Sequence, residues 1–298
     1  MKIYGTNIDE KLIEQIIIMV KQKKELSFLD NKKIGHEIEV LLNADKKLVQ
    51  KLASTVDIGE LKRSKSINVL IKKIRSKFYR PYTLFQSRDA PKRHLLLKEL
   101  EKSIKDNGIP KSQDQFIKLL ETHISSKERI SNYNSFYEEI FLITKKPKSI
   151  LDIGCGLNPV SYPFMKLDKV KYYACDISQD EMDFLNGYFD MMRKYSGLDG
   201  HAFKFDIKAD ELKGNMKDEV DAVFAFKLID LIDSKSAEKL LDIKCKWIAA
   251  SFSTKTISGK LMNSPRRAGF QKMLRRLNKE YVTKTIGDEI IYLIKNNM

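Results

Sequence analysis

The 298-residue sequence predicts an α/β fold for its second half: a parallel sheet that ends in an antiparallel hairpin and is preceded by a helical amino-terminal domain. From residue 149 onward, short runs of β-branched or aromatic residues alternate with helical patterns. This alternation is typical of βαβ units, in which helices cover both faces of a parallel sheet. Near the end, two such runs flank Gly287-Asp288, which predicts a hairpin. We therefore place one domain at residues 1–118 and a second at residues 119–298.

The first domain is predicted to be helical because its apolar residues recur every three or four positions. In its first helix, Ile8, Leu12, Ile16 and Val20 follow one another at four-residue steps. Strand signals are scarce before residue 124. The predicted helices of this part cover residues 7–26, 34–42, 46–53, 67–78, 94–107 and 113–123.

The second domain is predicted to contain a set of parallel strands followed by the hairpin. The parallel strands are predicted at residues 149–153, 171–175, 202–205, 220–226 and 247–251. The hairpin strands are predicted at residues 281–286 and 289–294. A parallel sheet whose last strand is reversed is the pattern of the Rossmann-like methyltransferases, so we expect a sheet of that type.

Composition and cysteine spacing exclude several classes of protein. Hydrophobic residues make up 42% of the chain, which is enough to form a core. The longest apolar run near the start covers residues 16–20 and is too short for a membrane span or a signal-peptide core. We therefore expect no membrane association and a cytoplasmic location. Cys155, Cys175 and Cys245 are widely separated and have no histidine at ligand spacing, so neither a disulfide framework nor a bound metal is expected.

The net charge of +15 is concentrated in two segments. Residues 62–93 hold eleven Lys or Arg and one acid, residues 255–284 hold nine and one, and the remainder holds 35 basic and 38 acidic groups. Two basic segments on a slightly acidic remainder favour binding of a structured RNA over a merely solvated surface. Aromatic residues within the first segment could stack on bases: Phe78, Tyr79, Tyr82 and Phe85. The predicted RNA-binding residues are Arg63, Lys73, Arg75, Arg80, Lys260, Arg266, Arg267 and Arg275.

The most informative segment is residues 149–159, where a predicted strand enters a Gly-x-Gly turn that opens a helix. Gly154 and Gly156 permit unusual φ angles and let the backbone approach a ligand closely. Asn158, followed by Pro159, replaces the third glycine that dinucleotide-binding turns carry. The turn therefore predicts a nucleotide cofactor other than NAD.

Acids at the ends of three predicted strands complete the expected cofactor site. Asp152 precedes the turn and is placed to meet a cationic amino group, and Asp176 ends the second strand, where it can accept from both ribose hydroxyls. S-adenosylmethionine is cationic at its sulfonium and amino groups, so this pattern predicts it as the cofactor. Asp206, after the third strand, is expected to accept from the adenine amino group. The neighbours Ile177 and Ile207 are included in the prediction.

The absence of two motifs narrows the target atom. The fourth strand ends in residues 224–228 and lacks the D/N-P-P-Y/F string used on exocyclic amines of bases. Cys245 lacks a Pro-Cys setting and is predicted to be a small buried residue rather than a nucleophile. Guanine N7 remains, because its free lone pair needs positioning but no general base. Lys227 and Lys255, after strands four and five, are the predicted catalytic-site residues and are expected to hold phosphate or the guanine O6.

Several motifs resemble one known family. Residues 151–159, Leu-Asp-Ile-Gly-Cys-Gly-Leu-Asn-Pro, are similar to the glycine motif of the aminoglycoside-resistance methyltransferases that modify guanine N7 in small-subunit ribosomal RNA. Residues 123–130 resemble their His-Ala-Ser-Thr-Arg-Glu-Arg-Leu segment, in which Ser125 and Glu128 also predict a capping box. Further matches lie at residues 136–141, 226–227, 252–255 and 289–294. The resemblance implies that Arg129 pairs with the carboxylate of S-adenosylmethionine and that Lys227 belongs to the cofactor site.

The sequence-based hypothesis is a monomeric, SAM-dependent RNA (guanine-N7) methyltransferase acting on small-subunit ribosomal RNA. A transfer RNA guanine is the main alternative, because no motif of the family is matched in the first hundred residues. A small-molecule methyltransferase is disfavoured by the two basic segments, and a non-catalytic RNA-binding protein is disfavoured by the intact set of glycines and acids.

Overall fold

The computed structural model describes residues 2–23, 26, 31–54, 57–83, 89–212, 219–256, 259–262, 265 and 267–296, with the side chains of residues 2, 58 and 79–83 outside the description. The chain divides into two compact units, Met1–Leu84 and Phe85–Met298. No described helix is both long enough and apolar enough to cross a bilayer.

The amino-terminal unit is helical. Its described elements are strands β1 (Lys2–Ile3) and β2 (Thr6–Asn7), which form a short antiparallel pair, and helices α1 (Glu10–Lys21), α2 (Asn31–Asn43), α3 (Lys46–Ser54), α4 (Ile58–Arg63) and α5 (Lys65–Thr83). Helix α1 begins after Asp9, whose carboxylate accepts a hydrogen bond from the Lys11 amide at 2.9 Å. The predicted i+4 residues Leu12, Ile16 and Val20 are buried in the core of this unit. The helical amino-terminal domain is confirmed.

The second unit opens with four helices among its described residues: α6 (Arg93–Asn107), α7 (Gln113–Leu120), α8 (Ile124–Arg129) and α9 (Tyr133–Thr144). Leu100 of α6 and Phe116 of α7 lie in the same apolar cluster as Ile150, which belongs to the sheet. For this reason α6 and α7 fold with the sheet unit. The structural division after Leu84 thus differs from the sequence-based boundary after residue 118.

The sheet of this unit contains seven described strands: β3 (Ser149–Ile153), β4 (Lys169–Asp176), β5 (Gly197–Lys204), β6 (Val220–Phe226), β7 (Cys245–Ser253), β8 (Tyr281–Ile286) and β9 (Glu289–Lys295). Their order is β5-β4-β3-β6-β7-β9-β8, and β9 runs antiparallel to both of its neighbours. The described helices between them are α10 (Tyr162–Met165), α11 (Gln179–Met192), α12 (Ser234–Leu241) and α13 (Ala268–Arg276). The predicted Rossmann-like sheet with a terminal antiparallel hairpin is confirmed.

Side chains of alternate strand residues enter apolar clusters on opposite faces of the sheet. Tyr172 and Ala174 of β4 lie in one cluster with residues of α9 and α11, whereas Cys175 lies in the other with residues of α12 and α13. From β3 the chain first adds β4 and β5 on one side and then adds β6 and β7 on the other, so the strand order reverses at β3. In open parallel sheets, ligands bind outside the carboxyl ends of the strands at such a reversal. Asp152, Asp176 and Lys227 all lie at this edge.

Candidate active site

The turn after β3 requires its two glycines. Gly154 and Gly156 have φ angles of +65° and +48°, a region that side-chain-bearing residues rarely adopt. The Gly154 amide donates to the carbonyl oxygen of Cys175 at 2.8 Å, which ties the turn to the end of β4. A Cβ on Gly156 would lie 2.5 Å from two atoms of the buried His123 ring. Glycine is therefore needed here both for the backbone conformation and for the packing of His123.

Asp152 is a buried carboxylate at the end of β3. Its Oδ2 accepts from the Tyr172 hydroxyl at 2.7 Å and from Asn158 Nδ2 at 2.8 Å. Burial raises the pKa of Asp152 to about 6, although these two hydrogen bonds favour the charged form. The carboxylate is thus fixed in orientation, and the positive charge of Arg129 also favours its ionised form, although burial has the larger effect on its pKa.

Asp176 is a half-buried carboxylate at the end of β4. Its carboxylate accepts from the Gly156 amide at 3.1 Å and from the Ile177 amide at 2.6 Å. Burial, together with the nearby charge of Glu181, raises the pKa of Asp176 to about 7. Two acids with raised pKa values at one sheet edge, Asp152 buried and Asp176 half-buried, fit a cationic ligand, whose charge would favour their ionised forms.

Glu181 is held in place by a buried ion pair. Arg93 Nη1 lies 3.0 Å from Glu181 Oε1, while Arg93 also donates to the Thr122 side chain and carbonyl at 2.8 and 2.9 Å. Burial lowers the pKa of Arg93 and lowers that of neighbouring His123 to about 4. Arg93 is the last residue of the first basic segment in the sequence, yet its side chain is buried and pairs with Glu181.

A second buried ion pair lies beside the glycine turn. The Arg129 guanidinium donates to both oxygens of Glu289, each at 2.9 Å, and to Asn158 Oδ1 at 3.2 Å. It also lies 4.5 Å from the Phe136 ring centroid and 5.0 Å from that of Phe226. Burial by itself lowers the pKa of Arg129, but the charge of Glu289 outweighs it and the pKa is raised.

Glu289 connects Arg129 to Lys227. Besides Arg129, it accepts from the Ser251 hydroxyl at 2.7 Å and lies 3.3 Å from Lys227 Nζ. Burial by itself raises the pKa of Glu289, but the positive charges of Arg129 and Lys227 lower it by more. The net shift of the pKa is therefore downward. Lys227 directly follows β6 with a φ of +58°, and its ammonium also contacts Glu128 at 2.6 Å. Two acids and two bases thus form a neutral cluster, in which Arg129, Lys227 and Glu289 are buried and Glu128 is exposed.

Comparison with known proteins identifies the family. The model of the family described as "Ribosomal RNA methyltransferase (FmrO)" matches residues 52–292. The chain belongs to this family. A relative from Micromonospora rosea named "16S rRNA (guanine(1405)-N(7))-methyltransferase" is 25% identical over 236 residues, which cover 75% of this chain and 81% of the relative. A relative of the same name from Serratia marcescens is 31% identical over 186 residues, covering 60% and 70%.

Solved structures agree with this ribosomal RNA methyltransferase family in fold. The 16S rRNA methyltransferase RmtF in complex with S-adenosyl-L-homocysteine gives a TM-score of 0.69 at 17% identity, covering 98% of this chain and 100% of that chain. The 16S rRNA methylase RmtB gives a TM-score of 0.61 at 20% identity, covering 96% and 98%. The cofactor of this methyltransferase is S-adenosylmethionine.

Glu289 is one of the residues of this family member's site to which the sequence analysis assigned no role. It was matched as part of the motif at residues 289–294, but its function depends on Arg129, which lies 160 positions away. A usable signal was present in the sequence: Glu289 precedes a run of five buried apolar or aromatic residues, 290–294, and charged residues are seldom buried without a partner. Tyr172, His123 and Glu181 were also assigned no role, because the residues that they contact in the site lie far away in the sequence.

The remaining predicted site residues of the methyltransferase follow the strands as expected. Asp206 lies two residues after β5, and its Oδ1 accepts from the Lys208 amide at 3.1 Å, while Ile207 beside it is buried. Lys255 lies two residues after β7, and its ammonium pairs with Asp288 at 2.6 Å while the side chain stays 40% exposed. Among the described residues, no group of three or more His, Cys, Asp or Glu could hold a metal ion.

The predicted RNA-binding residues of the first unit have different environments. Arg63 and Lys73 are exposed, although Arg63 also donates to the Gly59 carbonyl at 3.2 Å. Arg75 donates to the carbonyls of Met19 and Val20, so it caps the end of α1. The side chain of Arg80 lies outside the described residues. Phe78 packs against the core of this unit, and the side chains of the other three predicted stacking residues, Tyr79, Tyr82 and Phe85, also lie outside the description.

The second basic segment shows a similar division. Lys260 and Arg275 are exposed, and Arg266 lies outside the described residues. Arg267 donates to both oxygens of Asp230, at 2.8 and 2.6 Å, and contacts the carbonyls of Pro265 and Ser253 at 3.0 and 3.2 Å. The Arg267 side chain therefore links Pro265 and the end of β7 to Asp230, which lies after β6.

Two smaller predictions have opposite outcomes. The capping box at Ser125 and Glu128 is wrong, because α8 begins at Ile124 after His123 and has no side-chain cap. Ser125 Oγ instead lies 3.0 Å from His123 Nδ1, and Glu128 reaches Lys227. The prediction that Cys245 is a small buried residue is confirmed, and burial raises the pKa of its thiol to about 11.

Proposed function

We propose that this protein transfers the methyl group of S-adenosylmethionine to N7 of a guanine in small-subunit ribosomal RNA. The observation that carries the proposal is the family match over residues 52–292, which includes the whole candidate active site. The relatives from Micromonospora rosea and Serratia marcescens carry this activity in their names. We propose that the protein acts as a monomer, and ribosomal RNA as substrate supports a cytoplasmic location.

We assign the cofactor to the carboxyl ends of β3, β4 and β5. Asp152 and Asp176 are proposed to meet its amino group and ribose, and Gly154 and Gly156 to form its floor. Asp206, Ile177 and Ile207 are proposed to surround the adenine. When bound, S-adenosylmethionine supplies a methyl group carried by a cationic sulfonium. The raised pKa values of Asp152 and Asp176 support this assignment, because a cation beside them favours ionisation.

Arg129 is proposed to hold the cofactor carboxylate with the N–H groups that Glu289 and Asn158 leave unused. A guanidinium has five N–H donors. Three of them are directed to Glu289 and Asn158. Because Glu289 and the rings of Phe136 and Phe226 fix the guanidinium plane, Arg129 would meet a carboxylate without losing side-chain freedom on binding.

The chain's contribution to methyl transfer is positional. The N7 lone pair of guanine lies in the ring plane and needs no deprotonation, so no general base is required. The methylated ring carries a positive charge, which a nearby uncompensated ammonium would oppose. Lys227 is paired with Glu128 and Glu289, and Lys255 with Asp288, so both can border the guanine without adding net charge. We propose that these lysines orient phosphate or the guanine O6.

We propose that the exposed residues Arg63, Lys73, Lys260 and Arg275 bind RNA phosphates. Arg80 and Arg266 belong to the same proposal. Arg75 and Arg267 are proposed to act indirectly, since their side chains organise the backbone that carries neighbouring basic residues. Such contacts position an RNA without reading its sequence.

The N7 product gives a direct test. Small ribosomal subunits treated with the enzyme and S-adenosylmethionine, then with borohydride and aniline, should show one new strand break at a guanosine, because N7-methylguanosine is cleaved at its ribose under these conditions. Methyl incorporation without a break would contradict N7 as the target atom. A break in transfer RNA, with none in small-subunit RNA, would move the substrate to the alternative class.

The affinity for S-adenosylmethionine should fall as the pH falls through about 7 and then about 6, where Asp176 and Asp152 of the free protein take up protons. A cationic ligand requires both carboxylates to be ionised, so bound protons must be released. The affinity should change by about tenfold per pH unit between pH 7 and 6, where one proton is released, and by up to about a hundredfold per unit below pH 6, where two are released. Calorimetry across this range, in buffers of different ionisation enthalpy, measures affinity and proton release together.

Asp176→Asn is the matched control for the pH dependence. It should weaken binding by about 1–3 kcal/mol, since an ionic acceptor is lost, and should remove the step near pH 7. The charges of Glu181 and Asp152 raise the pKa of Asp176, and both carboxylates remain in this variant. An unchanged pH profile in Asp176→Asn would contradict the assignment of that step to Asp176.

A further inference from the structure

A basic groove lies at the edge of the sheet opposite to the candidate active site, where β3, β4 and β5 begin. It encloses about 810 Å³. We call it the amino-edge groove and define it by its basic lining residues, Lys146, Lys148, Lys169, Lys171 and Arg193. None of these residues belongs to the two basic segments recognised in the sequence, and the chain outside those segments is slightly acidic.

Strand pairing creates the groove from segments that are separate in the sequence. Lys171 of β4 lies opposite Ser149 of β3, and its amide donates to the Lys148 carbonyl at 2.9 Å. Lys169 lies opposite Gly197 of β5, where a Cβ would be 2.0 Å from the Asp168 carbonyl oxygen. The bare glycine therefore lets the start of β5 approach β4 closely, which fixes the position of Lys169.

The spacing along β4 matches an extended polyanion. Lys169 and Lys171 are exposed on the same side of the strand, while Val170 between them is buried. Alternate strand residues are about 6.6 Å apart. Successive phosphates of an RNA strand have a comparable separation, so both ammonium groups can meet neighbouring phosphates of one backbone.

The groove carries a surplus of positive charge. The acids in its lining are Asp168 and Asp199, and Asp199 together with Asp190 pairs with Arg193. Within the described part of the chain, the ammonium groups of Lys148 and Lys169 have no ion-pair partner. Like charges in a concave surface reinforce one another's field and attract anions.

We propose that the amino-edge groove binds the phosphate backbone of the RNA substrate at a second place, remote from the guanine that is methylated. This inference rests on the proposed function. Strand β4 runs for eight residues from the groove to Asp176, which corresponds to about 23 Å. An RNA must extend over that distance to occupy both places, so the groove selects a large folded RNA over a short hairpin.

The test compares two double charge reversals of equal size. Lys148→Glu with Lys169→Glu changes the groove, and Lys235→Glu with Lys239→Glu makes the same change in net charge on exposed residues of α12. Binding to small ribosomal subunits is measured over a series of salt concentrations. The groove variant should bind at least about tenfold more weakly, with a slope of log K against log salt that is shallower by about 1–2, while the α12 variant keeps the wild-type slope. Equal slopes in the two variants would overturn the proposal.

Further measurements separate the causes of each result. The affinity for S-adenosylmethionine and the urea midpoint of unfolding should be the same in both variants and in the wild type. The double variant Lys148→Gln with Lys169→Gln repeats the test without charge reversal.

A short RNA hairpin containing the target guanine should bind equally to all variants. Binding of ATP that depends on Lys148 and Lys169, with an unchanged salt slope for subunits, would assign the groove to a free nucleotide and overturn the proposal.

Failure of the two proposals is distinguishable. If the groove does not bind RNA, the groove variant still produces the aniline-sensitive break at wild-type efficiency. If the proposed function is incorrect, the wild type gives no such break, whatever the salt slope of binding. As a direct check, Lys148 and Lys169 should be protected from chemical acetylation when subunits are bound, whereas Lys235 and Lys239 should stay reactive.

Discussion

Replacing Glu289 with glutamine should lower the free energy of unfolding by about 3–5 kcal/mol, because it leaves a buried arginine without its counter-ion. Arg129 is 3% exposed and directs two N–H groups to the Glu289 carboxylate. Glutamine keeps the size of the side chain but removes its charge and one of its acceptor oxygens. Urea unfolding, followed by fluorescence or circular dichroism, measures the change.

Glu128→Gln is the control for this substitution. Glu128 also pairs with Lys227, at 2.6 Å, but the Glu128 side chain is 54% exposed, and Lys227 keeps its second partner, Glu289, at 3.3 Å when Glu128 is replaced. Its loss should cost no more than about 1 kcal/mol. Similar unfolding energies for Glu289→Gln and Glu128→Gln would show that burial does not govern the strength of this cluster. In a double-mutant cycle with Arg129→Met, a favourable coupling between positions 129 and 289 is expected.

Replacing Gly156 with alanine should destabilise the protein by about 2–4 kcal/mol, from backbone strain and overpacking combined. The φ angle of +48° disfavours a residue with a Cβ, and that Cβ would lie 2.5 Å from the His123 ring. Movement of the backbone would also displace the Gly156 amide from Asp176, so the affinity for S-adenosylmethionine should fall. Urea unfolding and calorimetry measure the two effects.

Gly269→Ala provides the matched control, because Gly269 lies in α13 and a Cβ there meets nothing within 4 Å. It should raise stability by about 0.5–1 kcal/mol, the usual gain from alanine in a helix. Combining Gly156→Ala with His123→Ala removes the contact and should be less destabilising than the sum of the two single changes. Additive energies would contradict a direct clash between Gly156→Ala and His123.

The sheet was predictable because its determinants are local. The strands at residues 149–153 and 220–226 agree with β3 and β6 at both ends, and the hairpin turn lies at Gly287-Asp288 as expected. Runs of β-branched and aromatic residues, bounded by turn residues, contain this information within a few positions. The helix that begins at Ile124 was less predictable, because Ser125 bonds to His123 and Glu128 bonds across to Lys227.

The sequence by itself determined the glycine turn and the acids at the strand ends, because a positive φ selects glycine and the position of an acid at a strand end follows from the strand pattern. Only the tertiary structure decided what each basic residue does. Arg75, Arg93 and Arg267 count as positive charge in the sequence, yet each is held by groups of its own chain. Lys148 and Lys169 form a groove only because β3, β4 and β5 pair side by side. The function of a charge depends on the partners within a few ångströms of it, and those partners come from distant parts of the chain.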